Sequence, residues 1–118
     1  MAINYDFLFE DKQGDYQGIL LELRGGSAQL IDIRERDEWE QYHFKCATHI
    51  PLSDLVKGIG VETLKEIKKA NKKIYIHCRS GNRARKAQEI LARYGCREFY
   101  IIPVTMMKML EEGFTLTA

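Results

Sequence analysis

The segment from Lys73 to Gly95, "KIYIHCRSGNRARKAQEILARYG", joins two hydrophobic periods across a short polar loop. Its first six residues, "KIYIHC", form an apolar β-branched run that reads as a buried strand. From Asn82 onward the period is helical: Ala84, Ala87, Ile90, Leu91 and Tyr94 fall on one face, and Gly95 is a C-terminal stop. A strand that runs straight into a helix is half of a βαβ unit, so this segment points to a parallel sheet covered by helices.

The rest of the chain repeats the alternation. "AQLIDIR" and "EFYII" read as further buried strands, and "CATHIPL" as a short strand entering a proline turn. Residues 3–9 could add an edge strand. "YQGILLELRGG" reads as a helix with Ile19, Leu20 and Leu23 on one side, stopped by Gly25 and Gly26. "RDEWEQYH" reads as a helical turn or two capped by Asp37, and Ser53 is placed to cap the short turn after Pro51. "VETLKEIKKANKK" aligns Val61, Leu64, Ile67 and Lys68, with lysines gathered toward its C-terminal end as the helix dipole prefers. "TMMKMLEEG" is a last helix ended by Gly113. The expected architecture is α/β, with a mainly parallel central sheet of about five strands and helices on both faces. In such sheets the site lies beyond the C-terminal ends of the strands.

With 118 residues, 45% hydrophobic and 30% charged, the chain can build one core, and residues 1–118 are read as a single domain. Eighteen basic and seventeen acidic side chains leave a net charge of +1, which gives no general attraction to nucleic acid or an anionic membrane. No apolar run approaches bilayer length. The opening "MAINYDFLFEDKQGDY" lacks a basic n-region, which argues against a secretory signal and for a cytoplasmic location. The three cysteines, Cys46, Cys78 and Cys96, have no metal-ligand pair spacing, so neither a disulfide framework nor a zinc site is expected.

Cys78 stands where strand, loop and helix meet. Three features of "CRSGNR" favour a thiolate there: the start of the following helix, the turn-forming Ser80, Gly81 and Asn82, and the positive charge of Arg79, Arg83 and Arg85. Taken singly, each has an ordinary structural reading as core cysteine or solvated arginine. Arginines in a first helical turn oppose the dipole, and such local breaks of rule mark functional sites.

"HCRSGNRA" with its helix resembles the active-site loop of rhodanese-type sulfurtransferases. "LIDIRERDEWEQYH" resembles that family's strand-then-helix segment with its Asp, Arg and later His, and "ATHIPLSDL" resembles another of its segments. The three segments keep the family's order, and the resemblance is strongest over residues 28–102. It implies a three-layer rhodanese-like fold and a sulfurtransferase that moves sulfane sulfur through a persulfide on Cys78. The donor would be a small molecule such as thiosulfate and the acceptor a thiol, cyanide or an acceptor protein, with no cofactor, metal, nucleic acid or membrane. By the same resemblance Arg79, Ser80, Gly81, Asn82 and Arg83 bind substrate, Arg83 is paired with Asp32, and Asp32 and Arg34 support the site. A low-turnover persulfide carrier or protein-binding module is the alternative. A Cys-dependent phosphatase is disfavoured: related phosphatases have a cradle one residue longer, whereas here four residues separate Cys78 from Arg83.

Two departures stand out. The family's "G-H-I-P-G-A" is "YHFKCA" here, with Cys46 in a glycine position. Cys46 is read as a buried filler, the alternative being a second thiol that resolves or receives the persulfide. The family's Gly-Gly pair before the last helix is replaced by Pro103 and Val104. Met106, Met107 and Met109 read as core at helical spacing, the alternative being an adaptable surface for a partner. Strand alternation turns His77 away from the side of Cys78, so it is read as structural. Cys96 is read as packing or pointing to solvent, and His49 and Trp39 carry no signal beyond core or surface packing.

Overall fold

The structure is a computed structural model that describes residues 15–79, 82–96 and 98–117. In chain order its elements are α1 (Tyr16–Gly25), β1 (Ala28–Asp32), α2 (Arg36–Gln41), β2 (His43–Phe44), β3 (Ala47–His49), α3 (Leu52–Val56), α4 (Val61–Lys69), β4 (Lys73–His77), α5 (Asn82–Arg93), β5 (Tyr100–Ile101), α6 (Met106–Glu111) and β6 (Leu116–Thr117).

The central sheet has the order β3-β1-β4-β5, and every pairing in it is parallel. Leu30, Ile31, Ile74 and Ile76 are completely buried although neighbours along a strand face opposite sides, so both faces of the sheet are covered. The cover comes from the apolar stripes of the helices: Ile19 and Leu20 of α1; Val61, Leu64 and Ile67 of α4; Ala84, Ala87 and Leu91 of α5; Met106 and Met109 of α6. Gly26 and Gly95 take left-handed conformations (φ 81° and 80°) just after α1 and α5, where L side chains are disfavoured.

Four strands, not about five, form this sheet among the described residues. The expected edge strand at residues 3–9 lies outside those residues. A pairing that the sequence did not suggest is the antiparallel ribbon of β2 with β6, His43 opposite Thr117 and Phe44 opposite Leu116. Two-residue strands are too short to display any period.

Two caps differ from expectation. Glu35, not Asp37, caps α2: the Glu35 side chain accepts from the Glu38 amide, and the Glu38 side chain accepts from the Glu35 amide. Pro51, not Ser53, stands at the N-cap of α3, and the Ser53 hydroxyl instead donates to Glu35 Oε1 at 2.5 Å. The register aligns Asp32 with both His49 and His77, so the ends of three strands meet one residue before Cys78.

Candidate active site

Cys78 follows the last residue of β4 and precedes the twelve-residue α5 by a few positions. Its side chain is buried, and its Sγ accepts the Ala84 amide at 3.4 Å. An amide from the first turn of a helix aimed at sulfur stabilises negative charge there, as does the dipole of a helix of that length. The exposed side chain of Arg79 follows directly, and the Arg79 carbonyl accepts the amide of Met106, the first residue of α6, at 3.2 Å. That bond ties the segment containing Pro103 and Val104 to the Cys78 loop. Asn82 opens α5 and is exposed; Ser80 and Gly81 lie outside the described residues.

Arg83 does not pair with Asp32. It forms a two-pronged ion pair with Glu38 of α2, one prong of which, Nη2 to Oε2, measures 2.8 Å. The Arg83 guanidinium holds the Glu38 carboxyl down at about 2, well below its ordinary 4.5. Glu38 also closes the capping box with Glu35, and Glu35 binds Ser53, so α2, α3 and the start of α5 are linked by one polar chain. Glu38 was not among the residues expected at the site. A signal for half of its role was present, because acidic residues three apart in "ERDE" fit a capping box.

Asp32 is committed instead to Arg34. Both are buried; Nη2 of Arg34 lies 2.9 Å from Oδ2 of Asp32, Nε lies 3.1–3.2 Å from both oxygens, and the Arg34 amide donates to Oδ1 at 2.9 Å. Arg34 also donates to the Tyr42 carbonyl at 2.7 Å, and its guanidinium stands 5.2 Å from the Tyr42 ring centre. The pair therefore braces the turn after β1, whose last residue, Asp32, is level with His77, one position before Cys78.

His77 is buried against Phe44, and neither ring nitrogen has a hydrogen-bond partner among the described residues. Its Nε2 stands 3.6 Å from Asp32 Oδ2. Burial pushes the imidazole down from 6.5 to about 4 despite the attraction of Asp32, with Arg34 also lowering it, so His77 is neutral near pH 7. The unfolded chain then binds the extra proton between these values, and stability must fall as pH drops from 6.5 toward 4. The expected loss is about 3 kcal/mol, present in urea melts of the wild type and absent in His77→Gln. Glu38 titrates lower, so its own stabilisation is lost only as pH falls from 4.5 toward 2. Trp39 stacks between His43 and His49, with ring centres 3.6 and 4.7 Å apart, which accounts for all three by packing.

A family model described as the Rhodanese-like domain matches residues 17–115. The chain belongs to the Rhodanese-like domain family. Over 81 residues this rhodanese-like domain is 37% identical to YqhL, an uncharacterised protein of Bacillus subtilis (strain 168), covering 67% of this chain and 60% of that protein. The solution structure of protein hp1203 from Helicobacter pylori 26695 matches with a TM-score of 0.65 at 29% identity, covering 78% and 79% of the two chains. The crystal structure of the Saccharomyces cerevisiae single-domain sulfurtransferase RDL2 matches with a TM-score of 0.54 at 26% identity, covering 74% and 76%.

The other cysteines of the rhodanese-like domain divide differently from expectation. Cys46 is exposed, not a buried filler, because it sits in the tight turn between β2 and β3. Nor can it resolve sulfur on Cys78 of the same molecule. Ala47 is level with Leu30 and thus with Tyr75, two strands away and three residues short of Cys78, a Cα separation of about 14 Å from strand rise and spacing. Disulfide-forming cysteines need Cα atoms within about 7 Å. Cys96 is buried. Met106 and Met109 are core, whereas Met107 is 69% exposed. Among the described residues no helix is long and apolar enough to cross a membrane, and no three metal-ligating side chains gather.

Proposed function

We propose that this rhodanese-like domain is a sulfurtransferase working through a Cys78 persulfide in the cytoplasm. The Cys78 thiolate attacks the outer sulfur of a donor such as thiosulfate; the bond to the sulfonate sulfur breaks, and sulfite departs with the electron pair. A thiolate or cyanide then attacks the terminal sulfur held on Cys78, and Cys78 leaves as thiolate. The observation that carries this reading is the Cys78 sulfur accepting an amide from the first turn of α5, with the exposed Arg79 beside it for an anionic donor. RDL2, named a single-domain sulfurtransferase, supports it by likeness.

Steady turnover of thiosulfate with cyanide tests the reading, and Cys78-dependent hydrolysis of a chromogenic phosphate ester in its place would overturn it. Glu38 serves as a positioning residue for Arg83. Glu38→Gln keeps an acceptor for the Glu35 amide and loses the charge pair, so kcat/KM for thiosulfate is expected to fall about tenfold. The cost in stability is about 1 kcal/mol or less by thermal melting, as for other partly exposed ion pairs.

The second reading, a persulfide carrier that serves a protein acceptor, is favoured by one observation. Helix α6, bonded to the Arg79 carbonyl, exposes Met107 and Leu110 on adjacent turns. Under it, sulfur loads onto Cys78 but small acceptors unload it slowly.

A further inference from the structure

At the pole of the sheet opposite Cys78, the end of α4 and the turn after α5 enclose a groove of about 460 Å³, lined by Lys65, Lys68, Lys69, Gly95, Cys96 and Glu98. Helix α5 has twelve residues and therefore carries the chain roughly 18 Å from the sulfur before reaching this groove. We propose that the groove docks an acidic segment of a partner protein, with apolar residues interspersed.

The groove's lining is mostly basic, with three lysines, one carboxylate and the buried thiol of Cys96. Lys65 and Lys68 line the groove with partly buried side chains, 40% and 31% exposed, as long cationic side chains do when their stems pack and their heads stay in water. Their ion pairs are loose: Lys65 lies 3.9 Å from Glu62, and Lys68 lies 3.4 Å from Glu98, both carboxylates more than 80% exposed. Such pairs contribute little and exchange readily for a better-desolvated carboxylate. Lys69 and the nearby Lys72 make no ion pair among the described residues. Burial pushes the Cys96 thiol up against the pull of Lys65 and Lys68, so Cys96 stays a neutral thiol and acts as apolar floor.

The helix dipole accounts for lysines in the last turn of α4, but it does not require Lys65 one turn earlier or a concave surface. A protein segment fits better than nucleic acid. Glu98 on the rim opposes a continuous phosphate track, and a chain of net charge +1 lacks a broad basic footprint. A partner seated there leaves the Cys78 end of the sheet uncovered, so docking serves to recruit, raising the effective concentration of an attached sulfur donor or acceptor.

The test uses the full chain and a short fluorescein-labelled peptide of Glu with interspersed Leu, read by anisotropy. Saturable binding is expected, weakened by added salt, weakened about tenfold by Lys65→Glu with Lys69→Glu and about threefold by the corresponding Gln pair. The Gln pair adds no like charge beside Glu62 or Glu66, which guards against loss of folding. Sulfur loading of Cys78 from thiosulfate should stay within about twofold of wild type in both variants, so docking is read separately from the chemistry. Absence of saturable binding, full binding by both variants, or tighter binding of a single-stranded RNA oligonucleotide would overturn the proposal.

Discussion

An Asp32→Ala variant is expected to lose about 3–5 kcal/mol of folding stability, a large part of the 5–15 kcal/mol that such domains possess. The reason is the Arg34 guanidinium, which is 1% exposed and spends its Nε and one prong of Nη2 on the Asp32 carboxylate. Without that carboxylate, a permanent cation stays buried with the carbonyl and ring of Tyr42 as its remaining partners among the described residues. Replacing both partners, Asp32→Leu with Arg34→Met, removes the stranded charge and is expected to cost far less than the single change. Urea unfolding of the two single variants and the double variant measures this coupling. Additive losses would mean that the pair is not the brace described above.

The second large effect is chemical. Cys78→Ser is expected to lower thiosulfate-to-cyanide turnover by roughly a thousandfold or more while leaving the fold intact. A serine hydroxyl fits the space of the thiol and can still accept the Ala84 amide, but it neither ionises near neutral pH nor carries a sulfane sulfur. Kinetics at saturating thiosulfate read this directly. Turnover within a few fold of wild type would move the chemistry away from this loop and make the exposed Cys46 the next residue to examine.

Much of this was readable in the chain because the βα units have strong, unlike periods. "KIYIHC" and "AQLIDIR" became the two central strands, and Cys78 stands at the end predicted for a site. Asp32 and Arg34, expected as supports from the family resemblance, are both buried and paired with each other. Their pairing was not readable. Arg83 chose Glu38, forty-five residues away, over Asp32, because Arg34 already saturates Asp32 from two residues along the chain. Spacing along a sequence carries no information on that competition. The β2–β6 ribbon escaped for a different reason: its strands are too short to carry a pattern and are held by Phe44 and Phe114 packing behind them. Cys46 was misjudged because the turn that exposes it depends on that ribbon. The two displaced caps show the usual uncertainty at helix ends, where neighbouring Asp, Glu and Ser compete for the same amides.

The most direct test of a Cys78 persulfide is the intact-protein mass after incubation with thiosulfate, wild type beside Cys78→Ser, without reductant. Wild type is expected to gain the mass of one sulfur atom, dithiothreitol to remove it, and Cys78→Ser to gain nothing. Equal sulfur on both proteins would contradict it, as would a wild type that stays unmodified by thiosulfate while catalysing its turnover.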